Sequence, residues 1–232
     1  MYASVKKRGD LSMMVMVSKV EMIAGDVLHL VAERPDGFRF TPGQAAEISF
    51  DRDGLRDEKR PFSITSLPDS PDIEFIIKIY PEHDGFTRNL LNVQAGDSLI
   101  LHQVFGNIAY RGEGVFIAGG TGITPFLSIL RDLDTRQAVG NNALIFINKR
   151  QEDVILKNEL QTLLGRNLRL ILTREKVNGY AHGHLTRDYL KDYVAGTDGV
   201  FYLCGPPSMM DAAERHLFDL GVGRDQVVKE GW

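Results

Sequence analysis

From Met13 to about Ile108 the chain alternates apolar and polar positions in short runs: Met13–Val20, Val27–Glu33, Gln44–Phe50, Ile73–Tyr80 and Ser98–Val104. Alternation with a period of two predicts half-buried strands, and their short, even spacing predicts an antiparallel barrel or sandwich. Turn chemistry separates the runs at Ala24-Gly25-Asp26, Pro35-Asp36-Gly37, Thr41-Pro42-Gly43 and Ala95-Gly96-Asp97. One helix, Thr87–Asn92, is expected to interrupt them. After Tyr110-Arg111-Gly112-Glu113-Gly114 the pattern changes. Continuous apolar runs at Val115–Ala118, Ala143–Ile147, Leu168–Leu172 and Val200–Leu203 alternate with helical periodicity at Pro125–Asp134, Lys157–Leu164, Leu185–Tyr193 and Ser208–Leu220. Uninterrupted apolar strands between helices predict a parallel sheet covered on both faces. Two domains are therefore expected, 1–110 and 111–232.

Composition narrows the function. A formal charge of -4 over 232 residues gives no basic footprint for nucleic acid. The single cysteine, Cys204, excludes an internal disulfide framework and an all-cysteine iron–sulfur cluster within this chain. No apolar run approaches membrane-spanning length, and the first ten residues lack the apolar stretch of a signal peptide, so no membrane partner and a cytoplasmic location are expected.

Two segments carry candidate chemistry. Arg60-Pro61-Phe62-Ser63, in strand-like surroundings, offers a guanidinium for a pyrophosphate, an aromatic face for a ring and a hydroxyl for a ring nitrogen. Taken alone it reads equally well as an edge strand after the polar loop Asp51–Lys59. Gly85-Phe86-Thr87 adds a tight turn and a hydroxyl at a helix start, a second place for a phosphate. Gly119-Gly120-Thr121-Gly122-Ile123-Thr124-Pro125 is a glycine turn between a buried strand and a helix, with proline in the first helical turn where its missing N–H is not needed. It departs from the simplest dinucleotide fingerprint, because Pro125 stands where a third glycine would. Cys204-Gly205-Pro206 ends another strand, where open parallel sheets bind ligands. Together these imply a flavin enzyme fed by a nicotinamide. His182 and His184 lack a neighbouring carboxylate or cysteine cluster, and no metal site is expected.

The order Arg-Pro-Phe-Ser, Gly-Phe-Thr, Gly-Gly-Thr-Gly-Ile-Thr-Pro, Cys-Gly-Pro-Pro, with an aromatic at the last position, resembles the ferredoxin-NADP reductase superfamily over nearly the whole chain. Among its members it is most similar to compact flavodoxin or ferredoxin reductase-like flavoproteins without a fused iron–sulfur domain. The resemblance implies an N-terminal antiparallel flavin-binding β-barrel and a C-terminal α/β parallel-sheet domain for the nicotinamide dinucleotide. By matching position, Arg60 pairs with the flavin pyrophosphate, Pro61 and Phe62 border the flavin, and Ser63 reaches its N5 region. The family usually has tyrosine where Phe62 stands. The backbone of Ile77, Lys78, Ile79 and Tyr80 lines the isoalloxazine, and Gly85, Phe86 and Thr87 hold the phosphate. Gly120, Thr121, Gly122, Thr124 and Pro125 cradle the dinucleotide, while Cys204, Gly205 and Pro206 flank the nicotinamide. Glu230 is given a supporting part in proton movement, and Trp232 stacks on the flavin or covers the adenine of a bent FAD.

The resemblance also implies FAD rather than FMN, a separate small electron carrier such as flavodoxin or ferredoxin, and a monomer. At the ends of the second and third strands of the nucleotide domain stand Asn148-Lys149-Arg150 and Thr173-Arg174-Glu175. Thr173 and Arg174 match the family's grip on a ribose 2′-phosphate and favour NADPH over NADH. Two other functions fit the same residues: reduction of free flavin or ferric chelates, and a non-catalytic electron-transfer or regulatory subunit.

Overall fold

The computed structural model describes residues 12–82, 85–195 and 198–230. They fall into two compact units that divide between Gly106 and Asn107. In the first, β1 (Met13–Ala24), β2 (Val27–Glu33), β3 (Ala45–Phe50), β4 (Arg60–Ser63), β5 (Asp72–Lys78) and β6 (Ser98–Phe105) form an antiparallel sheet in the order β4-β3-β6-β1-β2-β5. Its two ends meet: Ile64 bridges Phe75, and the Thr65 N–H donates to the Glu74 carbonyl at 2.9 Å. The bridge joins the two end strands at one point and shortens the exposed edges that an open sheet would present, leaving Arg60–Ser63 as an end strand. The alternation seen in the sequence is the inside–outside alternation of the barrel. Val15 and Val17 are 1% exposed, whereas Met16 between them is 39% exposed. A short helix, α1 (Phe86–Asn89), continues into a tighter turn at Leu90–Asn92 and plugs the core with Phe86, whose ring lies 4.5 Å from that of Phe50.

The second unit contains β7 (Gly114–Gly119), β8 (Ala143–Asn148), β9 (Leu168–Leu172), β10 (Ala181–His182), β11 (Val200–Cys204) and β12 (Val227–Lys229), all parallel, in the order β10-β9-β8-β7-β11-β12. Helices α2 (Thr124–Thr135), α3 (Lys157–Leu164), α4 (Arg187–Ala195) and α5 (Pro207–Asp219) accompany it. Every residue of β7 and β8 is buried, as apolar runs covered on both faces require. Ile117, Ile145 and Leu203 pack with Leu190 of α4 and Leu217 of α5. On the opposite face the Phe116 ring meets Phe126 of α2 at 5.1 Å. The chain runs outward from β7 to β10 and then returns to β11 on the other side of β7. That reversal of strand order is where such sheets bind ligands.

The expected elements differ from the observed ones mainly at their ends. The helix expected at Leu185–Tyr193 begins at Arg187, because the Thr186 hydroxyl accepts the Tyr189 N–H at 3.2 Å and fixes the start. The strand expected to reach Tyr80 ends at Lys78, although the Ile79 N–H still reaches the Asp26 carbonyl at 2.7 Å. No described helix is long and apolar enough to cross a membrane.

Candidate functional site

In the barrel, β4 pairs with β3 from Ile48–Arg60 to Ala45–Ser63. Arg60 and Pro61 are exposed, and Phe62 and Ser63 are half-buried. Pro61 sits on the strand at the end of the sheet order, where its missing donor is least costly. One Arg60 nitrogen donates to the Lys59 carbonyl at 2.8 Å, and no carboxylate among the described residues pairs with the guanidinium. The Phe62 ring lies 5.7 Å from that of Phe86. That contact brings the Arg60–Ser63 strand to the Gly85–Thr87 corner, so two segments separated by 21 residues lie together. The corner is fastened to the tail of β5, with the Tyr80 N–H donating to the Thr87 hydroxyl at 3.4 Å.

This corner fits a phosphate. A Cβ built on Gly85 meets nothing within 4 Å, and the first N–H groups of a helix have no intrahelical acceptor. Arg60 stands two residues before Phe62 on the strand that touches this corner, and its exposed guanidinium is a further donor suited to an anion. Ile77 and Ile79 are 2% and 1% exposed, backbone included, and the Ile79 N–H already donates to the Asp26 carbonyl, so neither presents appreciable surface to the ring expected to lie along them. The Lys78 ammonium is committed elsewhere, paired with Asp26 at 2.5 Å. Tyr80 is half-exposed.

In the second unit the glycine turn is one turn of tight helix, Gly120–Ile123, leading into α2, with Pro125 in the first turn. The Thr124 hydroxyl donates to the Thr121 carbonyl at 2.9 Å and closes it. Gly120 has φ +54°, a left-handed conformation that favours glycine, and a Cβ there would meet nothing within 4 Å. Open space over a glycine at the start of a twelve-residue helix suits a phosphate. Gly122 does the opposite: its Cβ would stand 2.3 Å from the Cys204 carbonyl oxygen. A Cβ on Gly119 would meet the Met209 sulfur at 2.6 Å and Pro206 at 2.8 Å, and one on Gly205 would meet the Gly119 nitrogen at 2.9 Å. The turns after β7 and β11 therefore interlock, with no room for a side chain between them, at the point where strand order reverses.

Cys204 lies in this seam. Burial, with a smaller contribution from the Glu230 carboxylate, pushes its thiol up to about 12. A thiol so far from ionisation offers shape and polarisable contact rather than a thiolate. Glu230 follows β12, and its Oε1 accepts the N–H groups of Asn107 at 2.9 Å and Ile108 at 3.3 Å. The carboxylate expected to aid proton movement thus also anchors the chain entering this unit. Trp232 lies outside the described residues. The sequence marks Gly119 as the first glycine of the turn and Met209 as a residue just after Cys-Gly-Pro-Pro, but assigns neither a part in the seam.

At the outer end, β8 and β9 are zipped beyond their ladder. The Thr173 N–H donates to the Asn148 carbonyl at 2.9 Å, its hydroxyl to the same oxygen at 3.3 Å, and the Arg174 N–H to the Lys149 carbonyl at 2.9 Å. The Thr173 hydroxyl has spent its proton and can only accept, whereas the Arg174 side chain is exposed and has no carboxylate partner among the described residues. The Glu175 carboxylate accepts the Gln151 N–H. His182 faces the Leu172 and Glu175 carbonyls rather than His184.

A barrel with a phosphate corner and a parallel sheet with interlocked ligand-side turns define an oxidoreductase built from a flavin-binding and a nicotinamide-binding domain. Residues 12–110 match a FAD-binding domain and residues 116–215 an oxidoreductase NAD-binding domain. The chain thus carries FAD-binding and NAD-binding oxidoreductase domains in a ferredoxin reductase-like fold. It is 29% identical over 226 residues to the xylene/toluene monooxygenase electron transfer component XylA of Pseudomonas putida, covering 91% of this chain and 63% of that protein. It is 30% identical to the reductase component of propane 2-monooxygenase from Mycolicibacterium smegmatis, of which it spans 65%, and 28% identical to NADH-cytochrome b5 reductase 2 of Rattus norvegicus, of which it spans 73%. The fold is shared with a ferredoxin NADP+ reductase from Neisseria gonorrhoeae solved with FAD and NADP, at TM-score 0.79, 23% identity, and coverage of 94% of this chain and 98% of that one.

Proposed function

We propose that this protein is an NAD(P)H-dependent flavoprotein reductase, with residues 1–110 carrying FAD and residues 111–232 the nicotinamide coenzyme, and that it passes electrons to a separate small redox protein. The observation that carries the reading is the seam of Gly119, Gly122, Cys204 and Gly205, which keeps two backbone turns in contact where a dinucleotide must approach closely. Bound FAD supplies a two-electron acceptor able to return electrons to a protein partner.

The chain's own residues supply position and charge. Arg60 and the amides of Gly85–Thr87 bind the flavin phosphates, and Ser63 holds the N5 edge by a hydrogen bond. The amides of Gly120–Thr124 bind the coenzyme phosphates, and Cys204, as a neutral thiol, sets the wall against which the nicotinamide lies. Holding reacting groups near attack distance contributes much of the rate in such a system. Arg174 favours NADPH, because an exposed guanidinium without a carboxylate partner can bond a 2′-phosphate bidentately, while Glu175 is engaged by Gln151. Several relatives are named for NADH, so the ratio of catalytic efficiencies with the two coenzymes, in wild type and Arg174→Ala, decides this point. NADH preference in the wild type overturns it.

Flavodoxin and ferredoxin are the partners proposed from the sequence, and the names of the relatives add oxygenase components and cytochrome b5. The purified protein should retain FAD and oxidise NADPH with ferricyanide. It should then reduce one of these carrier proteins faster than free flavin or ferric chelates. Turnover confined to free flavin or ferric chelates would replace the partner assignment, and absence of coenzyme oxidation would leave only a regulatory subunit.

A further inference from the structure

Strand β8 is apolar throughout except for its last residue, Asn148, which is 4% exposed. Its main-chain carbonyl is taken by Thr173, but neither Oδ1 nor Nδ2 of its side chain has a hydrogen-bond partner among the described residues. A carboxamide brings one acceptor and two donors, and burying them unpaired is costly; an apolar side chain of similar volume would be the cheaper occupant. A polar group left in this condition calls for an explanation beyond stability.

Its place supplies one. The ladder pairs Ile147 with Gly119, so Asn148 stands one step further on, level with Gly120 where the chain leaves β7. Side chains alternate along β8: Ile145 and Ile147 belong to the cluster with α5, so Leu144, Phe146 and Asn148 take the face covered by α2. The carboxamide therefore lies by the Gly120–Ile123 turn, whose peptide groups are those not satisfied within the helix. Gly120 is left-handed, and nothing stands within 4 Å of where its Cβ would be, so the space beside this turn is open to a ligand.

We propose that Asn148 is a positioning residue for the coenzyme-bound form of this turn: its carboxamide pairs with a turn peptide when the coenzyme phosphates dock, and the unpaired state disfavours the free form. A ligand that makes such a pairing possible gains affinity from the difference between the two states. The inference rests on the reading that the turn binds the nicotinamide coenzyme.

The test uses the FAD-loaded protein with Asn148→Leu and Asn148→Ser, and Asn148→Ala in place of leucine if that side chain is not accommodated. Thermal unfolding is followed without coenzyme, the Kd for NADP+ and NAD+ is measured by calorimetry, and KM and kcat are obtained with ferricyanide. Asn148→Leu should melt at or above wild type, while its Kd weakens about tenfold, which is about 1.4 kcal/mol. KM should rise with Kd, kcat should hold, and serine, which can donate and accept, should recover part of the loss. A leucine variant melting well below wild type would mean the carboxamide is already paired in the free protein, and an unchanged Kd would remove its link to coenzyme; either overturns the proposal. Wild-type protein that binds neither coenzyme would instead overturn the functional reading, and this proposal with it.

Discussion

Gly122→Ala tests the seam directly. Gly122 has an ordinary negative φ, so alanine brings no backbone strain, and the effect is purely one of contact. The new methyl carbon would stand 2.3 Å from the Cys204 oxygen, 2.6 Å from its carbonyl carbon and 2.7 Å from the Gly205 Cα. All three are backbone atoms, so no side chain can swing aside. Close C···O contacts settle at about 3.3 Å, so the two turns must part by roughly 1 Å. Overpacking of this kind costs about 1–3 kcal/mol. For a unit of this size a cost near the middle of that range lowers the melting temperature by roughly 8 °C. A displacement of about 1 Å at a reacting centre can cost on the order of a hundredfold, so kcat/KM for the coenzyme should fall by roughly ten- to a hundredfold. Differential scanning calorimetry and steady-state kinetics give both numbers, and alkylation of Cys204 reports the opened seam. Gly120→Ala is the control. It carries left-handed strain of about 1–2 kcal/mol but meets no neighbour, so Cys204 should stay as protected as in wild type. If Gly122→Ala melts with wild type and keeps its kcat/KM, the interlocked turns do not have the role given to them.

The other expectations are independent of that seam. Arg60→Ala should lower FAD occupancy, since each charge-assisted bond to a phosphate contributes about 1.5–3 kcal/mol, whereas Ser63→Ala should keep the flavin and slow its reduction in stopped flow. Full retention in the first, or unchanged reduction in the second, would refute the respective role. His29 lies 3.3 Å from both Glu74 and Glu21, and its pKa is raised from 6.5, chiefly by the Glu74 bond and against desolvation. A raised folded-state value stabilises fully below the unfolded pKa and is lost as pH rises through the folded one. The stability gap between wild type and His29→Gln should therefore be widest below about pH 6 and shrink above neutrality. A gap that grows with pH would contradict the pairing. The Cys204 thiol, pushed up to about 12, should alkylate slowly with no rise in rate up to about pH 9. Fast labelling at neutral pH would show a thiolate.

Much of this architecture is legible in the sequence because its strands carry one of two clean signals. Val15 and Val17 alternate with exposed neighbours, and β7 and β8 are apolar without interruption. The glycine turn and Cys204-Gly205-Pro206 are legible because their chemistry is local. Strands β10 and β12 are not, since two and three residues carry no period and owe their conformation to neighbouring strands. Barrel closure through Ile64 and Phe75 is a single bridge beyond the end of β4, and alternation along the chain does not say which residues of neighbouring strands pair. Glu230 is legible as a charged group near the end of the chain, but not its grip on Asn107 and Ile108, more than a hundred residues earlier. Asn148 reads in sequence only as the polar end of a strand. Its burial and its unpaired carboxamide appear when the turn after β7 is folded beside it.

The measurement that bears most directly on the central claim is anaerobic stopped-flow spectroscopy of the FAD-loaded protein mixed with NADPH, and separately with NADH. The visible flavin band should bleach in a phase whose rate saturates with coenzyme concentration, faster with NADPH, and return when a one-electron acceptor is added. A flavin band that persists with both coenzymes, or protein that cannot retain FAD, would contradict the account.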